Sequence, residues 1–243
     1  MGRRSDARER LIDAATSLFH ARGYNGIGVE AICRRAGVQK GSFYHFFPSK
    51  RDLALAAIEA QWEEYQREIL DRAFATDIPP LGRIRRLFHL STEFQKASRD
   101  EDGRIKGCPF GNLALEMSAQ DEEMRARVET VFEGIAARLR EALEEAAERS
   151  GPEGDGASSP SPGELDRKAR AVLAYYQGTV LLAKASNDPD LIRRLAHGAV
   201  ELAGAAPERR PRPAAGSRAT VSGLWPLPRD TEPWVWPYDA ERT

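Results

Sequence analysis

Apolar residues recur every three to four positions along most of the chain from Asp6 to Gly204, and no stretch alternates convincingly with the two-residue period of a strand. The pattern predicts an all-α protein. A first helix runs from about Asp6 to Ala21 and turns Leu11, Ala14, Ala15, Leu18 and Phe19 inward. Val29, Ile32 and Cys33 give a short second helix one buried face. Gly37 then opens a sharp turn, because glycine takes a positive φ without a Cβ clash. Val38 anchors a third helix that carries Gln39, Lys40, Ser42, Tyr44 and His45 outward. Phe43, Phe46 and Phe47 plug that helix onto its support, and Gly41 lets a neighbouring backbone come close. Pro48 stops it, and Ser49-x-x-Asp52 reads as a capping box for a fourth helix. This one extends from Lys50 to about Phe74, with Ile58, Trp62, Tyr65 and Ile69 as its stripe.

Five more helices follow the same period. One runs from about Leu81 to Ser98, burying Ile84, Leu87, Phe88, Ser91 and Phe94, and a short one covers about Pro109 to Ser118. The next, Asp121 to about Arg149, carries Met124, Val128, Val131, Ile135, Leu139 and Leu143. Residues 150–161 have the composition of a flexible linker, and Ser161-Pro162-Gly-Glu164 starts a helix that continues to about Ser186. Asp188-Pro189 caps a last helix ending near Ala203. The last two helices are apolar on more than one face. Val172, Tyr176, Thr179 and Ala183 oppose Leu173, Val180 and Leu181, while Leu191, Leu195 and Leu202 compete with Ile192, Ala196 and Val200. A helix apolar around much of its girth needs two partners, here its own core and a second subunit. Residues 205–243 hold 7 of the 15 prolines together with Trp225, Trp234 and Trp236, a composition expected to remain disordered.

Charge divides the chain in the same place. Residues 1–50 carry nine Lys/Arg and four Asp/Glu, a net of +5, whereas the whole chain sums to 36 − 37 = −1, leaving −6 on the remainder. A basic head on an acidic body directs nucleic acid to one end. Two short helices around a tight turn, the second studded with polar and basic groups, have the geometry that enters a major groove. No run of 18 apolar residues offers a membrane span, and the amino terminus has no signal-like apolar stretch. Cys33 and Cys108 make no disulfide framework and fit a reducing cytoplasm. His20, His45, His89 and His197 lack metal-ligand spacing, no hydrolase or nucleotide-binding motif is present, and no cofactor is implied.

The segments Gly23-Tyr24, Val29-Glu-Ala-Ile32, Ala36-Gly-Val38, Lys40-Gly-Ser-Phe-Tyr-His-Phe46 and Pro48-Ser-Lys50 together resemble the DNA-binding domain of the TetR family of bacterial transcriptional regulators. The resemblance implies a helix-turn-helix head over residues 1–50, with the family domain reaching about residue 66 through the fourth helix. It implies a helical sensor and dimerisation bundle over 67–204, and a homodimer that binds double-stranded operator DNA. Gln39 and Ser42 are then candidate base readers, and Lys40 reaches a base edge or a phosphate. Tyr44 and His45 match backbone contacts, and Lys50 sits at a helix start that suits a phosphate. Arg3, Arg4 and Arg8 form a basic arm. One departure is Ile27-Gly28, where many members have a threonine pair, so a side-chain helix cap is missing.

A second informative stretch is Gly107-Cys-Pro-Phe-Gly-Asn-Leu-Ala-Leu-Glu116. Pro109 suits the first helical position, which makes Cys108 the N-cap residue. The helix dipole, with Arg104 and Lys106 close in sequence, is expected to favour its thiolate. The Gly-Cys-x-x-x-Asn-Leu-Ala-x-Glu pattern is similar to a TetR subgroup of which some members respond to electrophiles, and Lys184 matches a lysine that takes part there. If the trigger is instead a reversible small molecule, Trp62, Tyr65, Phe88, Phe94, Phe110, Met117, Tyr175, Tyr176 and Gln177 are candidate pocket residues. The expected function is a repressor that releases its operator when the body is occupied or modified at Cys108. The alternatives are a DNA-bridging protein without regulated release and a hydrolase built on Cys108.

Overall fold

The computed structural model describes residues 2–99, 102–150 and 160–204, and every regular element among them is helical. The head comprises α1 (Gly2–Arg22), α2 (Val29–Ala36) and α3 (Lys40–Phe46). α4 (Lys50–Tyr65) leaves the head and runs through a π turn, Gln66–Leu70, into Asp71–Ala73. The body adds α5 (Pro80–Ala97), α6 (Pro109–Met117), α7 (Glu122–Ser150), α8 (Pro162–Ser186) and α9 (Asp190–Gly204). Most of the linker and all of the Pro/Trp-rich tail, segments 151–159 and 205–243, lie outside the described residues.

Local chemistry explains most of the helix ends. Ser49 Oγ accepts from the Asp52 amide at 3.2 Å and starts α4. Ser161 and Glu164 form a reciprocal capping box, with Pro162 at the first position of α8. Asp121 Oδ1 accepts from the Glu123 and Met124 amides at 3.1 and 3.0 Å, satisfying two donors that open α7. α1 begins four residues earlier than the periodicity predicts. The π turn was not legible either: the Asp71 amide reaches the Gln66 carbonyl, one residue further than an α-helix would allow.

Two cores result. In the head, Leu11, Ala15, Ile32, Phe43 and Leu53 are fully buried. In the body, α9 packs on α5 and α8, and α8 on α7, around Ile84, Leu87, Phe88, Met124, Ile135 and Leu139. Arg83 of α5 is buried in this bundle and makes a bidentate ion pair with Glu145 of α7. Its Nε donates to the Ile78 carbonyl at 3.1 Å, so the burial of its charge is matched by hydrogen bonds.

The two-sided reading of α8 and α9 holds in part. Val172, Tyr176, Thr179, Ala183 and also Val180 face the core, as do Ile192 and Ala196. Leu181 and Leu182 of α8 remain 55% and 56% exposed, and Leu202 of α9 42%. An uncovered leucine face on the last two helices is the surface a second subunit would bury. No helix among the described residues is long and apolar enough to cross a membrane.

Candidate DNA interface and sensor cavity

The turn between α2 and α3 is built as its sequence requires. Gly37 sits at φ 61°, its amide reaches the Arg34 carbonyl at 3.3 Å, and the Val38 amide reaches Cys33 at 3.0 Å. That left-handed residue ends α2 and swings the chain into α3. Gly28 precedes α2 without any side-chain cap. Phe43 is the buried plug of α3, with Phe47 behind it and the Arg8 guanidinium 5.4 Å from the Phe47 ring centroid, while Phe46 is only half-buried. Gln39, Lys40, Ser42, Tyr44 and His45 all project into solvent. Tyr44 is 52% exposed although its ring lies against Phe43, which leaves its hydroxyl end free for a ligand outside the protein. Lys40 makes a 3.7 Å pair with Glu30, both groups largely exposed and therefore weakly held.

Two expectations for the head are qualified by the geometry. A Cβ built on Gly41 would meet open space, so no protein backbone approaches there. Lys50 is turned inward: its ammonium donates to the Tyr24 and Ile27 carbonyls at 3.1 Å each and lies 4.0 Å from the Tyr24 ring centroid. Burial lowers its pKa, and two of its three ammonium donors are taken by those carbonyls.

The same loop is held from the body. Glu116, at the far end of α6 from Cys108, accepts from the Tyr24 and Asn25 amides at 2.8 and 2.6 Å. Arg51 of α4 pairs with Asp121 and Glu123 at the start of α7. Near the other end of α6, His20 of α1 lies with Nε2 2.9 Å from the Gly107 carbonyl. Gln95 also holds Gly107, through its carbonyl and its amide, each at 3.0 Å. Burial pushes the His20 pKa down to about 4, and Lys106 and Lys184 reinforce this against the Gly107 hydrogen bond. The imidazole is therefore neutral near pH 7 and donates through Nε2. Sequence reasoning missed these ties. Only Glu116 carried a signal, as the last residue of the motif around Cys108.

Cys108 is the N-cap of α6, its sulfur accepting from the Gly111 amide at 3.3 Å. Gly107 before it has φ 77°, and a Cβ there would sit 2.8 Å from Lys184 Cδ, so the stem of Lys184 passes directly over the motif. The Lys184 ammonium donates to Asn112 Oδ1 at 2.9 Å. Cys108 and Lys184 line one cavity of about 310 Å³ with Asn112, Ala114, Phe132 and Leu181. The buried Gln177 Nε2 lies beside the Cys108 sulfur at this cavity, close enough to favour the thiolate though without the geometry of a formed hydrogen bond. The expected thiolate is not realised, however. Burial raises the Cys108 pKa, outweighing the Gly111 and Phe110 amides, Gln177 and Lys184. Cys33 is buried in the head core and its pKa is raised by burial too.

Of the pocket candidates, Gln177 lines this cavity, whereas four others pack in the core. Phe88, Phe110, Met117 and Tyr176 are buried in the body core, and none of them borders the Cys108 cavity. Phe110 meets Trp62 and Tyr65 edge-on at 6.2 and 5.9 Å, the geometry that satisfies ring quadrupoles. Tyr176 donates or accepts within a buried hydroxyl chain, 2.6 Å from Ser91 Oγ and 3.0 Å from the Tyr65 hydroxyl. Among the described residues, no three His, Cys, Asp or Glu gather as metal ligands.

Residues 11–57 match the family described as bacterial regulatory proteins, tetR family. Residues 80–197 match the C-terminal domain described as transcriptional regulator LmrA/YxaF-like. The transcriptional regulator AcuR of Cereibacter sphaeroides is 34% identical over 185 residues, covering 76% of this chain and 79% of its own length. The crystal structure of a regulatory protein TetR from Rhodobacter sphaeroides superposes with a TM-score of 0.68 at 31% identity, over 81% of this chain and 98% of that one. The reduced form of NemR, an Escherichia coli transcriptional repressor, gives 0.66 at 27% identity over 80% and 95%. An exposed polar face on α3, a helical bundle behind it and these likenesses converge: the chain belongs to the TetR family of bacterial regulatory proteins and is a DNA-binding transcriptional regulator.

Proposed function

We propose that the protein is a cytoplasmic repressor that holds operator DNA as a dimer and releases it when the Cys108 cavity is modified or filled. α3 enters the major groove with Gln39, Lys40, Ser42, Tyr44 and His45, and the leucine face of α8 and α9 pairs two subunits. One observation carries the sensing half: Cys108 and Lys184 share a cavity at the start of α6, the helix whose other end grips the α1–α2 loop through Glu116. A group added at the Cys108 sulfur displaces the Gly111 contact and crowds Phe132 and Leu181. Any resulting shift of α6 is delivered to the base of the head. Modification biases the head only by its differential fit to the two conformations. The buried Gln177 amide is a ready donor to whatever acceptor enters. Likeness to NemR, named a repressor, supports the sign of regulation.

The test is operator affinity before and after treatment with N-ethylmaleimide, in wild type and Cys108→Ser. Wild type is expected to lose at least about tenfold in affinity, equivalent to about 1.4 kcal/mol, while the variant keeps its grip. Equal loss in both proteins overturns the assignment. Because burial raises the thiol pKa, the alkylation rate should keep climbing with pH from neutrality through pH 9.

A further inference from the structure

Lys184 borders a second opening. A cleft of about 450 Å³ lies between the end of α1, the 104–107 loop and the end of α8, lined by His20, Arg104, Lys106, Lys184 and Asn187 with Ala21, Ile105 and Ala185. Three of these side chains are cations, and no carboxylate lines the cleft among the described residues. Lys106 and Lys184 are paired with none among the described residues, and the hydrogen bond of the Lys184 ammonium goes to the neutral Asn112. Their repulsion is felt by His20, whose protonated form both lysines disfavour. Clefts walled by one sign of charge concentrate counter-ions.

We propose that this cleft is a binding site for a small oxyanion, an organic carboxylate or a phosphate, seated between Arg104, Lys106 and Lys184. An ammonium offers three donors and a guanidinium a planar fork, and both suit an oxyanion. The volume exceeds what a bare ion fills, and Ala21, Ile105 and Ala185 give a carbon skeleton somewhere to rest. The site does not involve the Cys108 sulfur. It spans the seam between α1 of the head and the loop of the body, where His20 meets Gly107. An anion there removes the lysine repulsion and fastens the seam.

Isothermal titration of the full chain with inorganic phosphate, and separately with benzoate, tests this at an ionic strength held constant with chloride. Saturable binding of at least one is expected, weakened at least tenfold in Lys106→Gln/Lys184→Gln at unchanged far-ultraviolet circular dichroism. Saturation by phosphate alone assigns a phosphate site, and saturation by benzoate alone assigns a carboxylate site. Arg104→Gln gives an independent reading: the rise in melting temperature that the bound anion produces in wild type should shrink. Cys108→Ser should bind as wild type does, so the site stands or falls separately from thiol sensing. Absence of saturable binding by either anion, or equal binding by the double variant, overturns the proposal.

Discussion

α3 and α6 are both short helices that carry candidate functional residues, yet they present them in opposite directions. α3 hides one aromatic, Phe43, and turns Gln39, Lys40, Ser42, Tyr44 and His45 to solvent. α6 turns inward at both ends, with Cys108 in a cavity against Lys184 and Glu116 bonded to backbone amides of the head. The polar face of the first helix is complete once it is folded onto its neighbours. The second is tied to residues 72 to 92 positions away in sequence, so its surroundings depend on the whole body being assembled.

The sharpest way to break this contrast is to empty each core separately. Phe43→Ala removes a fully buried ring from the head and should cost about 3–5 kcal/mol there. Hydrogen exchange should show α2 and α3 losing protection while α7 and α8 keep theirs, with operator binding abolished. Phe110→Ala should do the reverse, loosening α6 against Trp62 and Tyr65 of α4.

Acidity probes the seam between the two regions. With a folded pKa of about 4 against an ordinary 6.5, His20 takes up its proton more readily in the unfolded chain. The stability it contributes is whole above pH 6.5 and lost as the pH falls through 4, roughly 3 kcal/mol in all. Chemical denaturation across that window should show the decline, and His20→Gln should flatten it. Glu116→Gln replaces a carboxylate that accepts two amides with a neutral acceptor, at an expected cost of about 1–2 kcal/mol in thermal stability.

The smallest structural effects belong to α3, with the largest functional ones. Lys40→Ala and Tyr44→Ala should each change stability by no more than about 0.5 kcal/mol. Operator affinity measured by fluorescence anisotropy should nevertheless fall several-fold in each, and steeply with salt. Unchanged affinity in both variants would refute the placing of α3 in the groove.

The head was almost fully legible in the sequence because its determinants are local. Gly37, Phe43, Pro48 and Ser49 each dictate a backbone event within a few residues. Helix existence in the body was legible for the same reason, and the buried stripe of α7 from Met124 to Leu143 is as the period predicts. The tie of Lys50 to the Tyr24 and Ile27 carbonyls, the raised pKa of Cys108 and the packing of Phe88, Phe110 and Tyr176 were not legible, because each depends on distant partners. Sequence proximity of Arg104 and Lys106 pointed to a thiolate, whereas burial in the assembled bundle decides the proton's position. Phe88 and Tyr176 have the composition of a ligand pocket, but they fill their space with each other, at a ring separation of 5.3 Å.

The π turn after α4 sets the angular relation between the two halves of that rod. Each α-helical residue advances the azimuth by about 100°, so one surplus residue between Tyr65 and Asp71 resets which side of the distal segment looks inward. Deleting a single residue there would restore an uninterrupted screw and rotate everything upstream, with Trp62 and the whole of α4's origin in the head, against Ile69 and Leu70. The angular phase between the head and the body is thus stored in one extra peptide unit.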